Sequence, residues 1–106
     1  MANKHQIELR NRRRRADETI QNVHSDIRRL AALAYSSVQP EMREAITCDH
    51  FLDALEDPDL ALKIRERQPA DLDSALRIAL HLEVWAEDAA RRRDEPKQEN
   101  GDGRRV

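Results

Sequence analysis

Cys48 and His50 are the residues whose types could together bind a metal or arm a nucleophile. Two positions apart on a helix, their side chains point about 160° apart and cannot share an ion. His5, His24 and His81 stand far away in sequence, so no zinc site is expected. Cys48 falls on an apolar face with Phe51, Leu52 and Leu55, where it reads as a small buried hydrophobe. There is no glycine-rich phosphate loop and no pair of carboxylates with a pocket to serve. Neither catalysis, a cofactor nor a small-molecule substrate is expected.

The other chemistry on offer is electrostatic. The run RNRRRRADETI places Arg12, Arg13, Arg14 and Arg15 directly before an acidic pair, Asp17 and Glu18. Such a run can neutralise RNA phosphates, which makes affinity salt-dependent. Arg12, Arg13 and Arg15 are the candidate RNA contacts. The competing reading is a solvated basic lead-in, with one or two arginines bonded to Glu18 or to helix-end carbonyls. No aromatic platform for stacking on bases accompanies the run.

The surrounding composition bounds the answer. At 106 residues, with 39% hydrophobic and 38% charged, the chain predicts one small all-α domain with heavily solvated tails. Its two glycines both lie in the last six residues. One cysteine excludes an internal disulfide and fits a reducing compartment. No apolar run is long enough for a bilayer and no signal peptide opens the chain, so an intracellular, membrane-free protein is expected. The net charge of −2 hides segregation: residues 1–35 sum to +4, residues 36–88 to −8 and residues 89–106 to +2. So acidic a body repels phosphate and suits contact between copies of the chain at least as well.

Four helices are predicted to position these groups. Residues 1–15, whose apolar content is little more than Ile7 and Leu9, read as an extended or marginally helical lead-in. Asp17 is the expected N-cap of the first helix, where Ile20, Val23, Ile27, Leu30, Ala31 and Ala34 recur at helical spacing. A second helix starts at Pro40 and runs to about Glu56. A third, short one has Asp57 as cap and Pro58 at its first position, and ends before Pro69. The fourth follows Asp71 with an apolar stripe of Leu72, Ala75, Leu76, Ala79, Leu80, Leu82 and Ala86. Residues 16–90 form the domain in this reading, and residues 91–106 a disordered basic tail.

The stretch LRNRRRRADETIQNVHSDIRRLAALAY, followed by FLDALEDPDLALKIRERQPADLDSALRIALHLE, resembles the C-terminal capsid domain of Gag polyproteins from Gypsy-type LTR retrotransposons. The first part is similar to the major homology region of retroelement capsids. The second is similar to the family's Phe-x-x-x-Leu, its Pro-initiated short helix and its final Pro-x-x-Leu-x-x-Ala-Leu helix. The resemblance spans roughly residues 5–88. It places Glu18 at the homology-region glutamate and Ile20, Val23 and Ile27 at its buried apolar positions. Leu9 takes the apolar position ahead of them. Arg14 stands where many capsids have glutamine, and Ala16-Asp17 where many have Pro-Gly. The resemblance implies a compact four-helix bundle of the capsid type that associates with itself to build a shell packaging element RNA. A cytoplasmic virus-like particle would be its location. A zinc knuckle usually follows such a domain and is not found in this sequence, which suggests a single domain or a truncated or domesticated copy.

Hydrophobes off the main stripes are the candidates for that association. Met42 and Ile46 pair on the second helix with Arg43 beside them, and Ile78 and Trp85 lie seven residues apart on the fourth. Aromatics and methionine are enriched at interfaces. The alternative is that the lead-in folds back through Ile7 and Leu9 and covers them. Glu83 falls within the apolar stripe of the fourth helix; it either pairs with a homology-region arginine or is solvated at an exposed helix end. A SCAN-like dimerisation module, nuclear if domesticated, is the second function that fits, and RNA binding through the basic arms the third.

Overall fold

Local signals set most of the helix boundaries, and proline or a capping side chain marks nearly every start. The computed structural model describes residues 4–94, which form α1 (Lys4–Asn11), α2 (Ile20–Ala34), α3 (Pro40–Ala54), α4 (Pro58–Glu66) and α5 (Leu72–Asp94). No strand occurs among the described residues. None of their helices is long and apolar enough to cross a membrane.

Pro40 and Pro58 occupy first-turn positions, where the missing N–H costs nothing. The Asp57 carboxylate accepts from the Leu60 N–H at 3.1 Å, and that of Asp71 from Ser74 at 2.8 Å. Asp17 does not cap α2. Residues 15–18 form a turn, with the Glu18 N–H donating to the Arg15 carbonyl at 3.1 Å. The capping position therefore passes to Thr19, whose hydroxyl accepts from Asn22 at 3.1 Å.

Five helices stand where four were expected. The lead-in is the fifth: α1 packs against α2 and α3 through Leu9, which is fully buried. Gln6 secures its other end by donating to the Ala34 carbonyl at 3.3 Å. The mean hydropathy of this arginine-rich segment is low, so one inward leucine carries the packing. At the other terminus, α5 continues to Asp94 and replaces the expected start of the tail at residue 91. Residues 95–106, the remainder of that tail, lie outside the described residues.

The core centres on α2, which touches α1, α3 and α5. Its six expected apolar positions are all buried, alongside Leu9, Phe51, Ile64 and Leu72. On α5 the buried positions are Leu72, Ala75 and Ala79; Leu76, Leu80 and Leu82 pack partly against the core and Ala86 is exposed. On α3, Thr47 joins the core by turning its hydroxyl back to the Arg43 carbonyl at 2.6 Å.

Two non-glycine residues end helices in the left-handed region, Glu56 at φ 58° and Gln68 at φ 53°. A Cβ there costs roughly 1–2 kcal/mol. Glu56→Gly is expected to raise stability by up to about 1 kcal/mol, after allowance for the freer unfolded chain. Its only ion pair among the described residues, with Arg13 at 3.8 Å, is exposed. Chemical denaturation measures the change, and an unchanged or lower midpoint would contradict the assignment of strain.

Candidate interaction surfaces and the arginine hub

The four arginines between α1 and α2 do four different things. Arg12 turns inward and is 9% exposed. Its Nη1 and Nη2 grip both carboxylate oxygens of Glu18, and its Nε donates to Asp26 at 2.6 Å. Nη1 also donates to the Arg13 carbonyl at 2.6 Å. Glu18, its side chain 6% exposed, further accepts from the Arg15 N–H at 3.1 Å and from the Asn22 amide. The guanidinium of Arg12 holds the Glu18 carboxyl down at about 2, helped by those two donors and opposed by burial. Burial pushes Asp26 up, but hydrogen bonds from Arg12 and Arg29 outweigh it and leave the carboxyl below its ordinary range. The pairing with Glu18 raises Arg12 in turn.

Arg14 fastens the same segment to the far side of the bundle. Its backbone N–H donates to the Ala54 carbonyl at 2.7 Å, its Nε to the Glu18 carbonyl at 2.8 Å and its Nη1 to Glu83 at 3.0 Å. Of the two alternatives for Glu83, the arginine pairing is the one present. Arg13 bonds the carbonyls of Arg10 and Arg12. Arg15, with a side chain 73% exposed, points outward while staying 3.7 Å from Glu18. Arg12, named with Arg13 and Arg15 as an RNA contact, is thus occupied inside the fold. Of those three, Arg13 and Arg15 present guanidinium surface to solvent.

The hub explains how a turn without glycine or proline is held. Ala16 and Asp17 carry it at ordinary negative φ, while Glu18 is anchored on both sides. Asn22, four residues after Glu18, was legible as a helical neighbour. Asp26 was not, because it reaches Arg12 only once α1 has folded onto α2.

The four off-stripe hydrophobes separate into different environments. Met42 is 62% exposed and Ile46 half-buried. Arg43 between them donates to the Tyr35 carbonyl at 3.2 Å and so closes the end of α2. Ile78, expected off the core face, packs partly against the core. The apolar surface of α5 is broader than the stripe implied because α3 and α4 both pack on it. Trp85 is 54% exposed. Arg67 lies 5.5 Å above its ring centre, and His81 stacks at 6.0 Å. Trp85 lines an open groove of about 680 Å³ between α4 and α5, together with Leu60, Leu82, Ala86 and Ala90 and a rim of Asp57, Asp59, Lys63, Glu83 and Glu87. Leu60, Asp59 and Glu87 were not singled out in the sequence, and Asp57 and Glu83 were read there only as a cap and an arginine partner, since the groove exists only where α4 crosses α5.

Cys48 offers no activated thiol: burial, then Asp49 and Glu44, push it above its ordinary value. Among the described residues no three His, Cys, Asp or Glu side chains gather as a metal would require.

No family model, curated protein or solved structure matches this chain.

Proposed function

We propose that this chain is a capsid-type structural domain, of the kind found in Gag polyproteins of Gypsy-type LTR retrotransposons, and that it works by associating with itself into a virus-like shell. The observation that carries the reading is the hub at Glu18. The position that resembles the homology-region glutamate receives hydrogen bonds from Arg12, Arg15 and Asn22 and fixes a tight turn ahead of α2. Arg14, in the place of the family's glutamine, supplies bonds that tie this turn to α3 and α5. Ile20, Val23 and Ile27, the apolar residues of the same motif, are fully buried beneath it. A polar motif spent on internal bonding favours a scaffold over a nucleic-acid arm, and within the arginine run leaves RNA chiefly the outer guanidinium groups of Arg13 and Arg15.

Self-association through α3 uses Met42, which is 62% exposed, with the half-buried Ile46 beside it. Light scattering over a concentration series should show mass growing beyond the monomer. Met42→Asp with Ile46→Asp should weaken that association about tenfold or more, because each places a charge in a desolvated contact. The double variant must retain its helical signal, since Met42 is exposed. An unchanged mass profile would remove α3 from the interface. A ceiling at the dimer, with no larger species at any concentration, would favour the SCAN-like module instead. Salt should dissolve the larger assemblies before the dimer, because basic segments meeting a neighbour's acidic body are screened.

A further inference from the structure

The groove between α4 and α5 has a complement on α1, a helix of the same molecule that touches neither of them. Its floor is apolar: Leu60, Leu82, Trp85 and Ala86. Glu83 is already paired with Arg14 and Asp57 caps α4, but Asp59, Glu87 and Lys63 on the rim make no ion pair among the described residues. The outer face of α1 carries the inverse pattern. Ile7, 44% exposed, is flanked by Lys4, Glu8 and Arg10, and these three charges are likewise unpaired among the described residues.

We propose that the α4–α5 groove receives the α1 face of a second copy of this chain, with Ile7 against Trp85 and Leu82, Lys4 and Arg10 against Asp59 and Glu87, and Glu8 against Lys63. The inference deepens the self-association reading and rests on it. A helix laid in a groove with a few apolar anchors is a common recognition mode, and the two cations meeting two anions set the orientation. The chain's own α1 cannot fill its own groove, because α1 packs on α2 and α3 and makes no contact with α4 or α5. Knob and groove being different surfaces, the contact is heterologous: each copy has one of each, so copies add head to tail until a ring closes or a filament or shell grows. The α3 patch around Met42 can serve a separate, two-fold contact.

Complementation tests this. In a chain already carrying Met42→Asp and Ile46→Asp, which silences α3, the mass by light scattering should still rise with concentration. Adding Ile7→Glu blocks the knob; adding Ala86→Arg instead fills the groove. Each variant alone should be monomeric, and an equimolar mixture should form one-to-one heterodimers and nothing larger, since one intact knob still meets one intact groove. A mixture that stays monomeric although Ile7→Glu keeps the native helical signal overturns the proposal. So does a silenced chain that is monomeric at every concentration; association of the native sequence would then leave the broader reading standing, and a monomeric native sequence would end both. Should Ile7→Glu loosen α1, the charge exchange Lys4→Glu, Arg10→Glu against Asp59→Lys, Glu87→Lys tests the same contact by light scattering. Each set alone should associate about tenfold or more weakly, and mixing them should restore the contact. Failure of both mixtures to associate refutes the interface.

Discussion

Arg12→Ala should be the most damaging charge-changing substitution in this chain, costing about 3–5 kcal/mol, the usual effect of removing one partner from a buried ion pair. The loss is large because Arg12 serves three acceptors at once. Without it Glu18, its side chain 6% exposed, keeps its charge with only the Arg15 N–H and the Asn22 amide as donors, and Asp26 loses its inner partner. Arg12→Lys keeps a charge but not the planar fork that meets both Glu18 oxygens, and should recover only part of the loss. Arg12→Met with Glu18→Met should be less destabilising than the two single changes added together, because the double variant leaves no unpaired charge at that junction. Domains of this size have about 5–15 kcal/mol in total, so Arg12→Ala alone should remove about a fifth or more of the stability and shift the midpoint of denaturation markedly downward. Loss of less than about 1 kcal/mol would mean that the hub is an exposed pair of little consequence.

The same hub fixes the acid limb of stability. Glu18 titrates near its ordinary value of 4.5 when unfolded and at about 2 when folded. A folded pKa below the unfolded one means that its contribution is fully present above about pH 4.5 and is lost as pH falls toward 2. Asp26, also lowered, adds in the same direction. The stability curve between pH 4.5 and 2 should therefore fall steeply in the native sequence and flatten in Glu18→Gln. Parallel curves for the two proteins would show that the acid transition belongs to other carboxylates.

Why the sequence disclosed some of this and not the rest follows from the range of each interaction. Helices α2 to α5 were readable because their signals are local: Pro40, Pro58, Asp57 and Asp71 lie within a turn of the groups they satisfy. The buried face of α2 was readable because a 3.6-residue period needs no partner to be seen. The cap of α2 moved from Asp17 to Thr19 because Arg12, a residue from outside the helix, drew Glu18 and its turn away from the first turn of α2. Helix α1 was obscured because KHQIELRN offers only Ile7 and Leu9 as apolar residues and no capping or proline signal, and the arginine run that follows it finds its countercharge only when Asp26 and Glu18 come together in the fold. Met42 and Trp85 were legible as hydrophobes off their stripes, whereas Ile78 was misplaced because α5 is packed from more than one side. The groove under Trp85 is built by two helices crossing, and no pattern within either helix encodes it.

Leu9 is the one buried side chain of α1 and fastens that helix into the core. Leu9→Ala should cost about 2–5 kcal/mol, the usual effect of truncating a fully buried leucine where the surroundings cannot collapse. Ile7→Ala, two residues away and 44% exposed, should shift stability by no more than about 0.5 kcal/mol. The effects should also differ in kind. Losing Leu9 frees α1 to lift off α2, which exposes the Arg12 pairs, so Leu9→Ala and Arg12→Ala should combine to less than their sum. Strict additivity would show that the helix and the hub hold the fold separately. Losing Ile7 leaves the hub closed and subtracts only from the surface offered to a second copy. A chain with Ile7→Ala should therefore unfold at the native midpoint yet associate more weakly, whereas one with Leu9→Ala should lose stability first and association only as a consequence. If Ile7→Ala lowered stability as much as Leu9→Ala, the outer face of α1 would belong to the core and not to an interface.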